Sequence, residues 1–117
     1  MKKVWYLSTC KTCRRIMEEL GGLPDFEQQN VREQHISPED LDWLKSKTGS
    51  YESLFNRRSV KYREMGLKNK NLSEDDYRKL ILSHYSFLKR PVIVIGEDVF
   101  VGNAAKTVAD AKEKLGK

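Results

Sequence analysis

Short apolar runs alternate with amphipathic stretches along the chain. Residues 91–95 are continuously apolar, which is the pattern of a strand buried on both faces, and residues 3–7 form a similar run rich in β-forming side chains. Residues 25–31 and 99–101 predict two further strands. A Gly-Glu-Asp turn at 96–98 joins the last two strands, so we expect them to form a hairpin.

Helical periodicity follows the first strand. Residues 11–20 predict a helix that ends at two glycines. Ser8 and Thr9 precede it, and their hydroxyl groups are suited to cap its first turn. The side chains on its inward face are Ile16, Met17 and Leu20.

A helical block of about 50 residues separates the second and third strands. Ser37 and Ser73 each begin a helix, because acidic residues of the first turn follow both of them. Leu54 and Phe55, followed by residues 60–67, predict a second short helical region between them. A last helix follows Gly102, and we expect its inward side chains to be Val108, Ala109 and Leu115.

The order of elements is therefore β-α-β, a helical block, then β-β-α. This order predicts an α/β protein, a thioredoxin-like βαβ–ββα sandwich with a helical insertion between the second and third strands. We expect one domain over residues 1–117, with the sandwich at about 1–31 and 87–117 and the insertion at about 32–86.

Composition restricts the class of protein. The 117 residues carry 22 Lys and Arg against 17 Asp and Glu, a net charge of +5, and only 2 Cys, too few for a disulfide-rich secreted scaffold. No apolar run has the length of a membrane span or a signal peptide, so we expect a cytoplasmic monomer with no membrane partner. Six Lys and Arg lie between residues 57 and 70. We interpret them as a solvated face rather than a direct nucleic-acid contact.

The strongest chemical motif is Cys10-Lys11-Thr12-Cys13, between a predicted strand and a predicted helix. Cysteines three positions apart lie on one helix face. The unpaired N–H groups of a helix start, with basic neighbours, favour a thiolate at Cys10. We predict Cys10 as nucleophile and Cys13 as the resolving thiol. A zinc site would need two further ligands, for which only His35 and His84 are available, so we expect no metal. Inert buried cysteines and a regulatory redox switch remain alternatives.

Arg90 and Pro91 directly precede the apolar strand. In a thioredoxin-like layout this position faces the cysteine motif, and its proline peptide is typically cis. Arg90 is therefore a candidate oxyanion ligand, and Pro91 a candidate structural cis proline. The alternative is an ordinary proline at the first residue of a strand.

With these motifs the sequence resembles the arsenate reductase (ArsC)/Spx family over nearly its whole length. The resemblance rests on the cysteine motif and on four further blocks, which are 54–59, 62–67, 88–93 and 101–102. It implies a bacterial thioredoxin-like protein in which Cys10 attacks arsenate or a similar oxyanion. Arg58 and Arg90 would hold that oxyanion, with Arg57 as a close rival of Arg58. Paired guanidinium hydrogen bonds suit such an anion.

The resemblance also implies the partners. We expect a thiol-dependent oxidoreductase that acts on a small oxyanion or a disulfide, holds no bound cofactor, and draws electrons from glutathione, a glutaredoxin or a thioredoxin. Reductases of the family carry a third oxyanion arginine near the last helix, where this chain has Gly102 and Asn103. Cys13 is the second thiol of Spx-type regulators. The alternative function is therefore a redox-sensing transcriptional regulator that binds the C-terminal domain of the RNA polymerase α subunit.

Overall fold

A computed structural model describes residues 1–116 of the chain. Contacts between Cα atoms divide it into two compact units. The first contains Met1–Gln34 and the chain from Arg90 onward, and the second is His35–Lys89. The strands and α-helices in chain order are β1 (Lys2–Tyr6), α1 (Lys11–Glu19), β2 (Glu27–Asn30), α2 (Pro38–Thr48), α3 (Val60–Glu64), α4 (Glu74–Ser83), β3 (Val92–Ile95), β4 (Asp98–Val101) and α5 (Ala105–Lys114).

A four-stranded mixed sheet with the order β2-β1-β3-β4 forms the centre of the first unit. β1 pairs in parallel with β2 and antiparallel with β3, and β3 forms the expected hairpin with β4. The predicted α/β fold, a thioredoxin-like sandwich with a helical insertion between β2 and β3, is confirmed. The parallel pairing has a direct consequence for the site: β1 and β2 run side by side in one direction, so their C-terminal ends meet at one edge of the sheet.

The helices α1 and α5 supply the apolar layer on one face of this sheet. Val4, Ile93 and Ile95 point from the strands into a core to which both helices contribute. The helical members of that core include Ile16, Met17 and Leu20 near α1, as the periodicity predicts, and Val108 and Ala111 from α5. The expectation for Ala109 is wrong: it is exposed, because α5 turns Ala111 inward instead. On the other face of the sheet, Trp5 and Val92 pair across β1 and β3 and are also buried.

Aromatic packing forms the centre of the second unit. The ring of Phe55 stacks on Phe87 at a centroid distance of 5.4 Å and meets Tyr77 at 4.9 Å and Tyr62 at 5.8 Å. Such pairs add stability beyond their burial. The predicted caps of α2 and α4 are present, since the side chains of Ser37 and Ser73 accept hydrogen bonds from backbone N–H groups of the first turn.

The short helical region between α2 and α4 consists of separate turns. A 3-10 turn at Glu52–Leu54 comes first, α3 ends after five residues, and a second 3-10 turn follows at Leu67–Asn69. Gly66 separates the two with a backbone φ of +65°, a left-handed conformation that glycine adopts without steric cost and that a continuous helix excludes.

Candidate active site

Cys10 is the N-cap residue of α1, at the junction between the β1 loop and the helix. A turn closed by the hydrogen bond from the Cys10 N–H to the Leu7 carbonyl, at 3.0 Å, carries the chain from the sheet into the helix. The prediction that Ser8 or Thr9 caps α1 is wrong, since the cap residue is Cys10 and neither hydroxyl group accepts a hydrogen bond from the first turn. The first N–H groups of α1 therefore remain available to the sulfur of Cys10.

The surroundings of Cys10 favour its thiolate. Partial burial acts to raise the pKa of Cys10, but hydrogen bonds from the backbone N–H and the thiol of Cys13, the charge of Arg90 and the N–H of Thr12 together lower the pKa below its ordinary value. The neighbouring Lys11, Arg14 and Arg15 are not among the largest of these causes. A lowered pKa in a half-buried thiol at a helix start is the environment of a reactive cysteine.

Cys13 has the opposite character. It is fully buried, and burial raises its pKa to about 11, with the negative charge of Cys10 adding to the rise. Both thiols are free in this structure. Cys10 is therefore the first of the two thiols to lose its proton, and Cys13 keeps its proton at neutral pH, which suits Cys10 as the attacking thiol and Cys13 as the thiol that reacts later.

Arg90 belongs to the same unit as the two cysteines, and its positive charge acts on both thiols. The peptide bond between Arg90 and Pro91 is cis. The Pro91 carbonyl accepts a hydrogen bond from the Gly102 N–H at 2.9 Å, which ties this corner to the end of β4. Three of the predicted site residues, Cys10, Cys13 and Arg90, therefore form one cluster.

Arg58 lies in the second unit, in an exposed turn before α3. Its backbone N–H donates to the Asn56 side-chain carbonyl at 3.1 Å, and its guanidinium makes no hydrogen bond or ion pair with the described residues. Arg57, its rival, is already engaged: its guanidinium donates to Glu52 at 2.5 Å and to the Tyr77 hydroxyl at 2.9 Å. Of the two, Arg58 has the guanidinium that is available for a ligand.

Sequence reasoning missed the polar cluster that holds Arg58. The side chain of Asn56 donates to the Ser86 carbonyl at 3.0 Å, and the hydroxyl groups of Ser59 and Ser86 lie 2.9 Å apart. The Nδ1 atom of His84 accepts from the Ser86 N–H at 3.1 Å. This cluster, Asn56, Ser59, His84 and Ser86, joins the turn of Arg58 to the segment that leads toward Arg90. Its only sequence signal is an Asn and two Ser in segments about 30 residues apart.

The two histidines have partners within the second unit. His35 Nε2 lies 2.6 Å from the Ile81 carbonyl, and His84 Nδ1 lies 2.8 Å from the Ser86 hydroxyl. Burial, followed by the charges of Lys61 and His35, lowers the pKa of His84. Over residues 1–116, no three or more His, Cys, Asp or Glu side chains gather in a group that could hold a metal ion.

Comparison with known proteins identifies the family. The model of the ArsC family matches residues 5–111. The chain belongs to the ArsC family. One relative is the uncharacterized protein YusI of Bacillus subtilis (strain 168). The two sequences are 36% identical over 103 residues, which cover 84% of this chain and 86% of that protein.

Solved structures show the same ArsC-family fold. An arsenate reductase from Vibrio cholerae matches with a TM-score of 0.76 at 19% identity over 93% of this chain and 97% of its own. The solution structure of SACOL0876 from Staphylococcus aureus COL matches with a TM-score of 0.75 at 27% identity, over 94% and 97% of the two chains. Among the described residues, no helix combines the length and apolar character that crossing a membrane requires.

Proposed function

We propose that this ArsC-family chain is a thiol-dependent oxidoreductase in which Cys10 attacks a small oxyanion of the arsenate type, or a disulfide, and Cys13 resolves the intermediate. The observation that carries the proposal is the division of acidity within one motif. Hydrogen bonds and Arg90 lower the pKa of Cys10 against its partial burial, whereas burial keeps the proton on Cys13. Membership of the ArsC family supports the same reaction class.

The reaction balances with arsenate as substrate. The Cys10 thiolate attacks arsenic(V), a sulfur–arsenic bond forms, and one arsenate hydroxyl group takes a proton from solvent and leaves as water. Cys13 then gives its proton to solvent and attacks the Cys10 sulfur, the sulfur–arsenic bond breaks with its electron pair on arsenic, and the product takes up a proton and leaves as arsenite. The two thiols supply the two electrons and become a disulfide, which glutathione with a glutaredoxin, or a thioredoxin, reduces again.

The arginines have a defined part in this scheme. Arg90, in the same unit as the cysteines, neutralises the oxyanion through guanidinium hydrogen bonds, which match a tetrahedral anion in geometry and charge. Arg58 is the candidate for a second guanidinium by resemblance to the family. Gly102 and Asn103 stand where reductases of the family carry a third arginine. We propose that the protein is a monomer in the cytoplasm, where the cellular thiol pool keeps Cys10 and Cys13 reduced.

Turnover tests this function directly. We expect arsenate-dependent NADPH oxidation with glutathione, glutaredoxin and glutathione reductase, or with thioredoxin and its reductase, and complete loss of it in Cys10→Ser. Cys13→Ser is the matched variant: activity that survives in it means that an external thiol resolves the intermediate. Absence of turnover of the wild-type protein in both systems would rule out arsenate reduction.

A second candidate function is an Spx-like redox-sensing regulator that contacts the C-terminal domain of the RNA polymerase α subunit. Two observations favour it: both thiols of a C-x-x-C motif are free, and the third arginine is replaced at Gly102 and Asn103. A pull-down with the purified α-subunit domain, comparing oxidised and reduced protein, tests it. Binding in one redox state supports the regulator, and absence of binding in both states rules it out.

A further inference from the structure

Asn30, the last residue of β2, is bonded to the loop that leads to the reactive cysteine. Because β1 and β2 are parallel, Asn30 stands opposite Tyr6, and the loop after β1 begins beside it. The Asn30 side-chain amide donates to the Ser8 hydroxyl at 2.9 Å, and the Ser8 backbone N–H donates to the Asn30 side-chain carbonyl at 3.2 Å. The side chain of Asn30 thus binds both the backbone N–H and the hydroxyl group of Ser8.

The hydrogen-bond pattern fixes which way the amide of Asn30 points. The backbone N–H groups of Ser8 and Arg32 both approach the same side-chain atom, at 3.2 and 3.3 Å, and two donors require that this atom is the carbonyl oxygen. The NH₂ group must then be the atom that faces Ser8 Oγ. The Ser8 oxygen accordingly accepts this hydrogen bond and keeps its own proton, which has no acceptor in the described part of the chain.

We propose that Asn30 and Ser8 are a positioning pair for Cys10: the two hydrogen bonds between them fix the turn from Leu7 to Cys10, and with it the place of the Cys10 sulfur at the start of α1. The pair rests on the proposed role of Cys10 as the attacking thiolate. Ser8 and Cys10 are two residues apart within a single turn, which the hydrogen bond from the Cys10 N–H to the Leu7 carbonyl closes at 3.0 Å. Asn30 and Ser8 are both half-buried, so water only partly replaces the hydrogen bonds between them when these are lost.

This pair also explains why Ser8 does not cap α1. Its oxygen is turned toward the end of β2 by Asn30, away from the first N–H groups of the helix, and these stay available to Cys10. Thr9, the next residue, has a hydroxyl group too, but it is exposed and has no hydrogen bond with the described residues. The loop therefore offers a matched control one residue from Ser8.

The test is the pH dependence of iodoacetamide alkylation of Cys10, located by peptide mass spectrometry. Loosening the turn displaces the Cys10 sulfur from the N–H groups of α1, and one hydrogen bond to a charged group is worth about one pH unit in such a midpoint. We expect Ser8→Ala and Asn30→Ala to raise the midpoint by about 1 unit. Ser8→Thr, which keeps the hydroxyl, and Thr9→Ala should stay within a few tenths of the wild-type midpoint. Thermal unfolding of each variant verifies that it is folded.

Two results would overturn the pair: a wild-type midpoint in folded Ser8→Ala, or equal shifts in Ser8→Ala and Thr9→Ala. Because alkylation needs no substrate, the outcome is separate from that of the reductase assay. If the alkylation midpoint shifts in the variants but the wild-type protein does not reduce arsenate, the positioning pair is supported and the reductase function is ruled out. If the wild-type protein reduces arsenate but the midpoint does not shift in the variants, the reductase function is supported and the positioning pair is ruled out.

Discussion

The side chains of Cys10 and Cys13 act on each other's acidity, and the pKa values of the two thiols are shifted in opposite directions. Burial is the largest influence at both thiols and acts to raise both pKa values. At Cys10, the interactions with Cys13 and Thr12 and the charge of Arg90 overcome burial, whereas at Cys13 burial prevails and raises the pKa to about 11. Cys10 therefore loses its proton before Cys13 does, which makes it the thiol that reacts first.

Removing the charge of Arg90 should make Cys10 less acidic. A nearby opposite charge favours the charged form of a thiol, so we expect Arg90→Gln to raise the pKa of Cys10 by about 1 unit. Absorbance of the thiolate near 240 nm, titrated against pH, measures the change. Lys89→Gln removes a charge from the adjacent position and serves as the control. A Cys10 pKa that is the same in Arg90→Gln and wild type would mean that Arg90 does not act on the thiolate.

The raised pKa of Cys13 predicts a loss of stability in alkaline solution. An unfolded cysteine releases its proton near pH 9, whereas folded Cys13 holds its proton to about pH 11. Stability therefore falls as the pH rises through this window, by at most about 1.4 kcal/mol per pH unit. Urea unfolding at several pH values should show a shallower decline for Cys13→Ala than for wild type. Parallel declines would indicate that Cys13 titrates normally.

The cluster around Asn56 should contribute to the stability of the second unit. Asn56→Ala removes one hydrogen bond to the Ser86 carbonyl and one from the Arg58 N–H, at a cost of about 0.5–1.5 kcal/mol in the free energy of unfolding. Urea unfolding measures this cost. Asn71→Ala is the control, because Asn71 is exposed and has no side-chain hydrogen bond with the described residues. Equal stability of the two variants would contradict a structural role for the cluster.

Asp42 provides a prediction for acid solution. Hydrogen bonds from Arg78 and from the Tyr51 hydroxyl lower the pKa of Asp42 to about 2, from an ordinary 3.8. Its stabilising effect is therefore present above pH 3.8 and disappears as the pH falls through 2. Asp42→Asn should be less stable than wild type at pH 6 and equal to it near pH 2. The exposed Asp25, replaced by Asn, is the control. A gap between Asp42→Asn and wild type that stays constant with pH would contradict the prediction.

The fold could be predicted from the sequence because its determinants are local. Continuous apolar runs specify β1 and β3, and Ser37 and Ser73 specify the starts of α2 and α4 through capping chemistry. Where two neighbouring residues or conformations are equally compatible with the local pattern, the sequence alone does not show which of them the folded chain adopts. At α5, Ala109 and Ala111 are equally small, and packing against the sheet selects Ala111. At residues 60–67, the conformation of Gly66 ends the helix earlier than the apolar pattern indicates.

The candidate site could be predicted only in part for a related reason. A cysteine motif between a strand and a helix is visible in the sequence. Asn30 and Asn56, by contrast, act on residues 22 and 30 positions away, and only the folded chain brings these partners within hydrogen-bond distance. The predicted cap at Ser8 failed for the same reason, since Asn30 takes up its side chain.

The proposed chemistry depends on an activated Cys10, and the rate of Cys10 alkylation as a function of pH in the wild-type protein tests this activation most directly. The protein is treated briefly with iodoacetamide between pH 5 and 10, and the extent of modification at Cys10 and Cys13 is read from their peptides. We expect a midpoint for Cys10 below the ordinary cysteine value of 9.0, with Cys13 unmodified at neutral pH. A midpoint at or above 9.0, or faster modification of Cys13 than of Cys10, would contradict the activation of Cys10.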